Sequence, residues 1–225
     1  MEKLSLEKKK ELVRVILEKR NVPTNVVVAV KAALDVSGSM ERMFDNGTVQ
    51  ELVDRLIPVA MRFDDNQSIE MYAFASSAKR ASDIKPNSVG TYIQKFLSDV
   101  RSIYGGGTSY ASALKLIRDD IKPSSGFLGF GKKKAAGPTY LKFITDGDTG
   151  DEAETEKLLK ELGDNNVYIQ LIGIGRGSSF SFLRRMADKY DFVGFVTFPN
   201  LEQTTDEQMY EALLGDEFCE WIKSR

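Results

Sequence analysis

The chain has 225 residues, 42% of them hydrophobic, with 31 basic and 33 acidic side chains for a formal net charge of −2. That suits one domain of ordinary size with a real core, and the charge balance argues against a nucleic-acid or general membrane partner. Histidine is absent and Cys219 is the single cysteine, which excludes Ser–His–Asp and Cys–His catalysis and an internal disulfide, and leaves zinc without its usual donors.

The opening MEKLSLEKKKELVRVILEKR is too charged for a secretory signal, and no apolar run approaches the roughly 18–20 residues of a membrane span. A soluble, cytoplasmic protein is expected. Leu12, Val13, Ile16 and Leu17 predict a helix over 5–20, ended by Asn21-Val22-Pro23 because the residue before proline disfavours the α region. Residues 1–23 therefore read as a helical extension, and 24–225 as the main domain.

Residues 25–34 are nearly continuous in apolarity, as in a strand buried on both faces of a parallel sheet. The chain then writes Asp35-Val36-Ser37-Gly38-Ser39, three oxygen-bearing side chains at alternate positions where a strand should give way to a loop. Helical periodicity covers 48–63, with Pro58 expected to bend it. A strand follows at 69–75, and 76–86 could return as a short edge strand.

A helix is predicted over 91–103, then Tyr104-Gly105-Gly106-Gly107-Thr108, then a helix over 109–121. Residues 122–138 read as a loop. Strands at 139–145, 167–175 and 192–198 alternate with helices at 151–163, 179–190 and 206–223. The alternation predicts an α/β fold: a doubly wound, mostly parallel six-stranded sheet, helices on both faces, and one short antiparallel edge strand. Ligands of such sheets bind beyond the carboxyl ends of the strands, where Asp35 and the later Thr145-Asp146-Gly147 fall.

Asp35, Ser37, Ser39, Thr108 and Asp146 are all oxygen donors from three loop ends. Two carboxylates with hydroxyls and water suit a hard divalent ion, magnesium foremost, with manganese or calcium as alternatives. The glycines beside them let the loops turn tightly and approach closely.

An Asp-x-Ser-x-Ser after an apolar strand, a later Gly-Gly-Gly-Thr and a Thr-Asp-Gly at a strand end together resemble the von Willebrand factor A (vWA) domain and its metal-ion-dependent adhesion site. The resemblance covers about 25–200 and implies a Rossmann-like vWA fold. It implies that Asp35, Ser37, Ser39 and Thr108 are metal-binding positions, with Asp146 the second aspartate, often acting through water. DVSGSM, FDDN before IEMYAFA, and YGGGTSYASAL are further similar to the bacterial tellurium-resistance branch of that family.

Blander readings accompany these. Asp35, Ser37 and Ser39 are also residues that cap turns. Asp151 reads as the N-cap of the helix that follows it, while for Asp148 the sharper reading is a place on the rim of the site. Gly126 to Lys132 nearly spells a phosphate-binding loop, but Lys133 stands where a Ser or Thr is required and no strand leads in. Phe127, Leu128 and Phe130 beside three lysines offer at most a contact surface. Asp64 and Asp65 read as a polar turn, and Cys219 as a packing residue.

The expected function is a non-enzymatic, metal-dependent module that binds an Asp or Glu carboxylate of a protein partner, with its oligomeric state open. The resemblance implies a bacterial stress or tellurite-resistance setting. One alternative is a magnesium-dependent phosphatase or phosphotransferase, against which Ser37 stands where a second aspartate is needed. The other is a scaffolding domain whose metal is purely structural.

Overall fold

Strands form at Ala29–Asp35 (β1), Glu70–Phe74 (β2), Ala78–Arg80 (β3), Thr139–Thr145 (β4), Val167–Ile174 (β5) and Val193–Phe198 (β6). They belong to a computed structural model that describes residues 4–121, 137–175 and 180–225. The expected loop at 122–138, its near phosphate-loop and its lysines fall almost wholly outside those residues.

The strands make one six-stranded sheet in the order β3-β2-β1-β4-β5-β6. Every pairing is parallel except β2 with β3. The order grows outward in both directions from β1 and β4, so the topological switch point lies between those two strands.

The helices are Leu6–Lys19 (α1), Glu41–Asp45 (α2), Thr48–Phe63 (α3), Tyr92–Val100 (α4), Tyr110–Ile121 (α5), Glu152–Gly163 (α6), Ser181–Lys189 (α7), Asp206–Leu213 (α8) and Asp216–Lys223 (α9). Alternate strand residues feed two cores, as the period-2 geometry of a strand requires. Val30, Ala32, Leu34, Tyr140, Ile144 and Ile172 meet apolar residues of α1, α3, α4, α8 and α9 on one face. Ala33, Tyr72, Leu141, Phe143, Ile169 and Leu171 meet α5, α6 and α7 on the other. The N-terminal helix joins the first core through Val13, Ile16 and Leu17, all 0–1% exposed.

Several boundaries differ from expectation. The first strand begins at Ala29, because the Val28 N–H donates to Phe63 O at the end of α3 (2.9 Å) rather than to a neighbouring strand. The final helix is two: Leu214 closes α8, and Gly215, extended at φ −55° and ψ 169°, starts α9. Helix α3 stays a single element through Pro58, and the short α2 was not expected.

Two buried cations stand out. Lys142, on β4, is 0% exposed, and its Nζ has no hydrogen-bond partner among the described residues. Its ammonium lies 3.9 Å from the Tyr140 ring centroid, and burial pushes its pKa down to about 7.

Arg55, on α3, is the second. It donates from Nη1 to Thr204 O at 2.8 Å, reaches Asp206 at 3.3 Å and pairs with Glu51. Lys9 of α1 meets the same Asp206 at 3.6 Å. This cluster joins α1, α3 and α8. Removing one partner of a buried ion pair strands the other's charge. Arg55→Met is therefore expected to lower unfolding free energy by about 3 kcal/mol, read from urea denaturation.

Candidate metal centre

The loops after β1 and β4 leave the sheet side by side at the switch point, with the Gly105–Thr108 loop lying against the first of them. Gly38 N–H donates to Gly106 O (3.0 Å) and Gly105 N–H to Val36 O (2.9 Å). Ser109 N–H donates to Ala75 O beyond β2 (2.8 Å). Gly105 sits at φ +78°, where a side chain would be strained. At Gly107 a Cβ would come within 3.1 Å of Ser76 Oγ, the atom that accepts the Gly107 N–H at 2.9 Å. Gly38 differs from expectation: its backbone is not left-handed, and a Cβ would meet only Gly105 O, at an ordinary 3.4 Å.

Four of the five expected ligands are joined by hydrogen bonds. Asp35, 0% exposed, accepts the Ser37 N–H at Oδ1 (2.8 Å) and the Thr145 hydroxyl at Oδ2 (2.7 Å). Ser37 Oγ and Ser39 Oγ lie 3.2 Å apart, and Ser39 Oγ donates to Asp146 Oδ1 at 2.9 Å. Thr108 stands on the adjoining loop, half-buried, and its hydroxyl makes no hydrogen bond among the described residues. The turn-capping reading captures part of this, since Asp35 does accept a backbone N–H two residues on. It does not explain why the set spans two strands.

No basic side chain among the described residues lies within ion-pair distance of Asp35. Burial raises the Asp35 pKa despite its hydrogen bonds, and the nearby Asp146 charge adds to the rise. Burial likewise raises Asp146, against the Ser39 hydrogen bond. Among the described residues no group of three or more His, Cys, Asp or Glu could hold a metal. The donor set is instead two carboxylates with hydroxyls, which fits a hard cation that keeps several waters.

Sequence reasoning missed the supports. Thr145 holds Asp35, and Tyr110, 1% exposed, donates from its hydroxyl to Gly147 O. Asp151 stands at the N-cap of α6, as expected. Its side chain makes no cap bond to α6 and instead accepts the Ala111 N–H at the start of α5 (3.1 Å). Asp148 is exposed, and Ser181 Oγ lies 3.4 Å from it. Cys219 packs as expected: it is 1% exposed, donates to Leu214 O, and burial pushes its pKa up to about 11.

A doubly wound sheet with this strand order and these loops at its switch point defines a vWA domain. The family model described as vWA-TerF-like, a vWA found in the TerF C terminus, matches residues 27–225, and the chain belongs to that family. YcbR of Bacillus subtilis (strain 168), an uncharacterized protein, is 27% identical over 225 residues, 97% of this chain and 87% of that one.

Among solved structures, proximal thread matrix protein 1 of the mussel byssus superposes with a TM-score of 0.61 at 20% identity, over 86% of this chain and 48% of that one. A von Willebrand factor type A protein of Catenulispora acidiphila gives 0.54 at 18%, over 86% and 44%. The SpRpn10 vWA domain gives 0.54 at 18%, over 81% and 98%. The chain thus spans about half the length of the mussel and Catenulispora structures, and these likenesses establish the fold. One crystal structure of the mussel protein has zinc in its adhesion-site motif. No helix among the described residues is long and apolar enough to cross a membrane.

Proposed function

We propose that this domain is a metal-dependent protein-binding module in which Asp35, Ser37, Ser39, Thr108 and Asp146 hold a divalent ion, magnesium foremost. The observation that carries the reading is the Asp35 carboxylate, wholly buried and without a cationic partner among the described residues. A buried charge is tolerated when it is paired or coordinates a metal. When bound, the ion supplies a Lewis-acid position for an Asp or Glu of the partner protein.

The chain's own contribution is orientation. Thr145 and the Ser37 N–H fix both oxygens of Asp35, and Ser39 fixes one of Asp146. No catalytic step is needed, and Ser37 offers no carboxyl for aspartate-nucleophile chemistry. The family description, the vWA at the C terminus of TerF, together with the sequence resemblance supports a role in a bacterial stress or tellurite-resistance system, in the cytoplasm.

Calorimetric titration of chelator-treated protein with magnesium, manganese and calcium tests the reading. Saturable binding is expected, and Thr108→Ala should weaken it by about tenfold or more, the scale on which losing one ligand from an ordered site acts. Partner capture from a bacterial lysate should fall with chelation and with the same variant. Metal binding that Thr108→Ala leaves intact would remove these loops from the site. Binding that stabilises the fold while partner capture ignores chelation would make the metal structural.

A further inference from the structure

We propose that Asp151 is a positioning residue of the metal centre, holding the Thr108 loop in place without touching the ion. This rests on the metal-binding reading above. Its carboxylate is the meeting point of four donors from two separate segments. Oδ2 accepts Ser109 Oγ at 2.6 Å and the Ala111 N–H at 3.1 Å. Oδ1 accepts Thr149 Oγ1 at 2.6 Å and Thr155 Oγ1 at 3.0 Å.

One oxygen thus grips the segment directly after Thr108, and the other grips the segment after Asp146 and the first turn of α6. Thr108 is the one expected ligand with no hydrogen bond of its own to the others. Its place relative to Asp35 depends on what anchors the residues on either side. On the amino side the anchor is the backbone of Gly105 and Gly106 against the first loop. On the carboxyl side Ser109 has its backbone N–H tied to Ala75 O and its hydroxyl tied to Asp151.

Tyr110 makes a second tie between the same two segments, from its hydroxyl to Gly147 O. The Asp151 tie differs in that it also satisfies a free N–H at the α5 N-terminus, where a carboxylate is favoured. Groups that orient metal ligands typically change affinity by about 10–100-fold when removed.

The geometry separates position from charge. An asparagine at 151 keeps one carbonyl oxygen for Ser109 and Ala111. Its amide can face Thr149 and Thr155, whose hydroxyls accept as readily as they donate. An alanine keeps neither side.

The test is manganese titration of the full chain by calorimetry on wild type, Asp151→Ala and Asp151→Asn, with melting of each in chelator and amide exchange at Ala111. Asp151→Ala is expected to bind about tenfold or more weakly, with faster exchange at Ala111 and unchanged protection in β5. Asp151→Asn is expected to stay within about threefold of wild type, since it preserves the grip. Equal affinity in Asp151→Ala and wild type would overturn the positioning role alone. Equal loss in both variants would assign the effect to charge and overturn it as well. No manganese uptake by wild type would instead overturn the metal-binding reading, and the positioning role with it. If Asp151→Ala fails to fold, the asparagine variant's affinity and its Ala111 exchange decide between position and charge.

Discussion

Lys142→Met is expected to raise the stability of the domain by about 4 kcal/mol at pH 7. Burial alone moves the lysine from its ordinary 10.5 down to about 7. The sign follows from proton counts. Between about 7 and 10.5 the unfolded chain carries a proton on this side chain that the folded one lacks, so stability rises with pH across that window. Below pH 7 both states are charged and the penalty is at its full value.

A methionine of similar length fills the same space without a charge to desolvate. The variant should melt roughly 8–15 °C higher at pH 7, on the usual scale for a chain of this length. Its advantage should shrink steadily toward pH 10. Cys219, Tyr140, Tyr168 and Tyr210 on the same face have pKa values raised by burial, so they lower stability at the alkaline end of that window, but they do so in both proteins and cancel in the difference. Parallel melts of both proteins from pH 6 to pH 10 check the expectation. A constant difference would mean that the lysine finds a partner in solution.

Asp35→Asn should have opposite effects on stability and on metal binding. Burial raises the Asp35 pKa, so the folded state holds this proton more tightly than the unfolded one. Stability from this group is fully present at acid pH and is lost as pH rises through the folded value. The neutral amide removes that loss, so in chelator at pH 7 the variant should melt above wild type. With magnesium at about one hundred times its dissociation constant, wild type should gain about 2.7 kcal/mol and the variant nothing. The two melting curves should therefore cross as magnesium is added. A variant that melts lower at every concentration would show that the charge of Asp35 is satisfied within the protein itself.

What the sequence discloses here is what lies close together along it. Asp35, Ser37 and Ser39 are legible because one turn of chain carries all three. The bounds of α3 at Thr48–Phe63 agree with the periodicity because its apolar stripe faces a single core. The supports are harder to see because they are tertiary. Nothing near Asp151 says that it serves a helix some 40 residues earlier as well as its own.

Lys142 misleads for a related reason. Nothing in Thr139-Tyr-Leu-Lys-Phe-Ile-Thr145 sets it apart, yet a central parallel strand has no solvent face. The break at Gly215 is hidden because the apolar pattern continues on both sides of it.

The two hydrogen bonds that close the centre, Ser39 to Asp146 and Thr145 to Asp35, span 107 and 110 positions along the chain. No local segment brings these atoms together; only the pairing of β1 with β4 does, and such a long loop closes late because its entropy must be met first. Whatever the site holds therefore meets a finished fold. A nascent chain offers it only the Asp35–Ser39 turn and Thr108, and the second aspartate, Asp146, joins them once β4 has been made and paired. A bound ion would then leave the folding rate alone and act on the reverse step, slowing the opening of the two central strands.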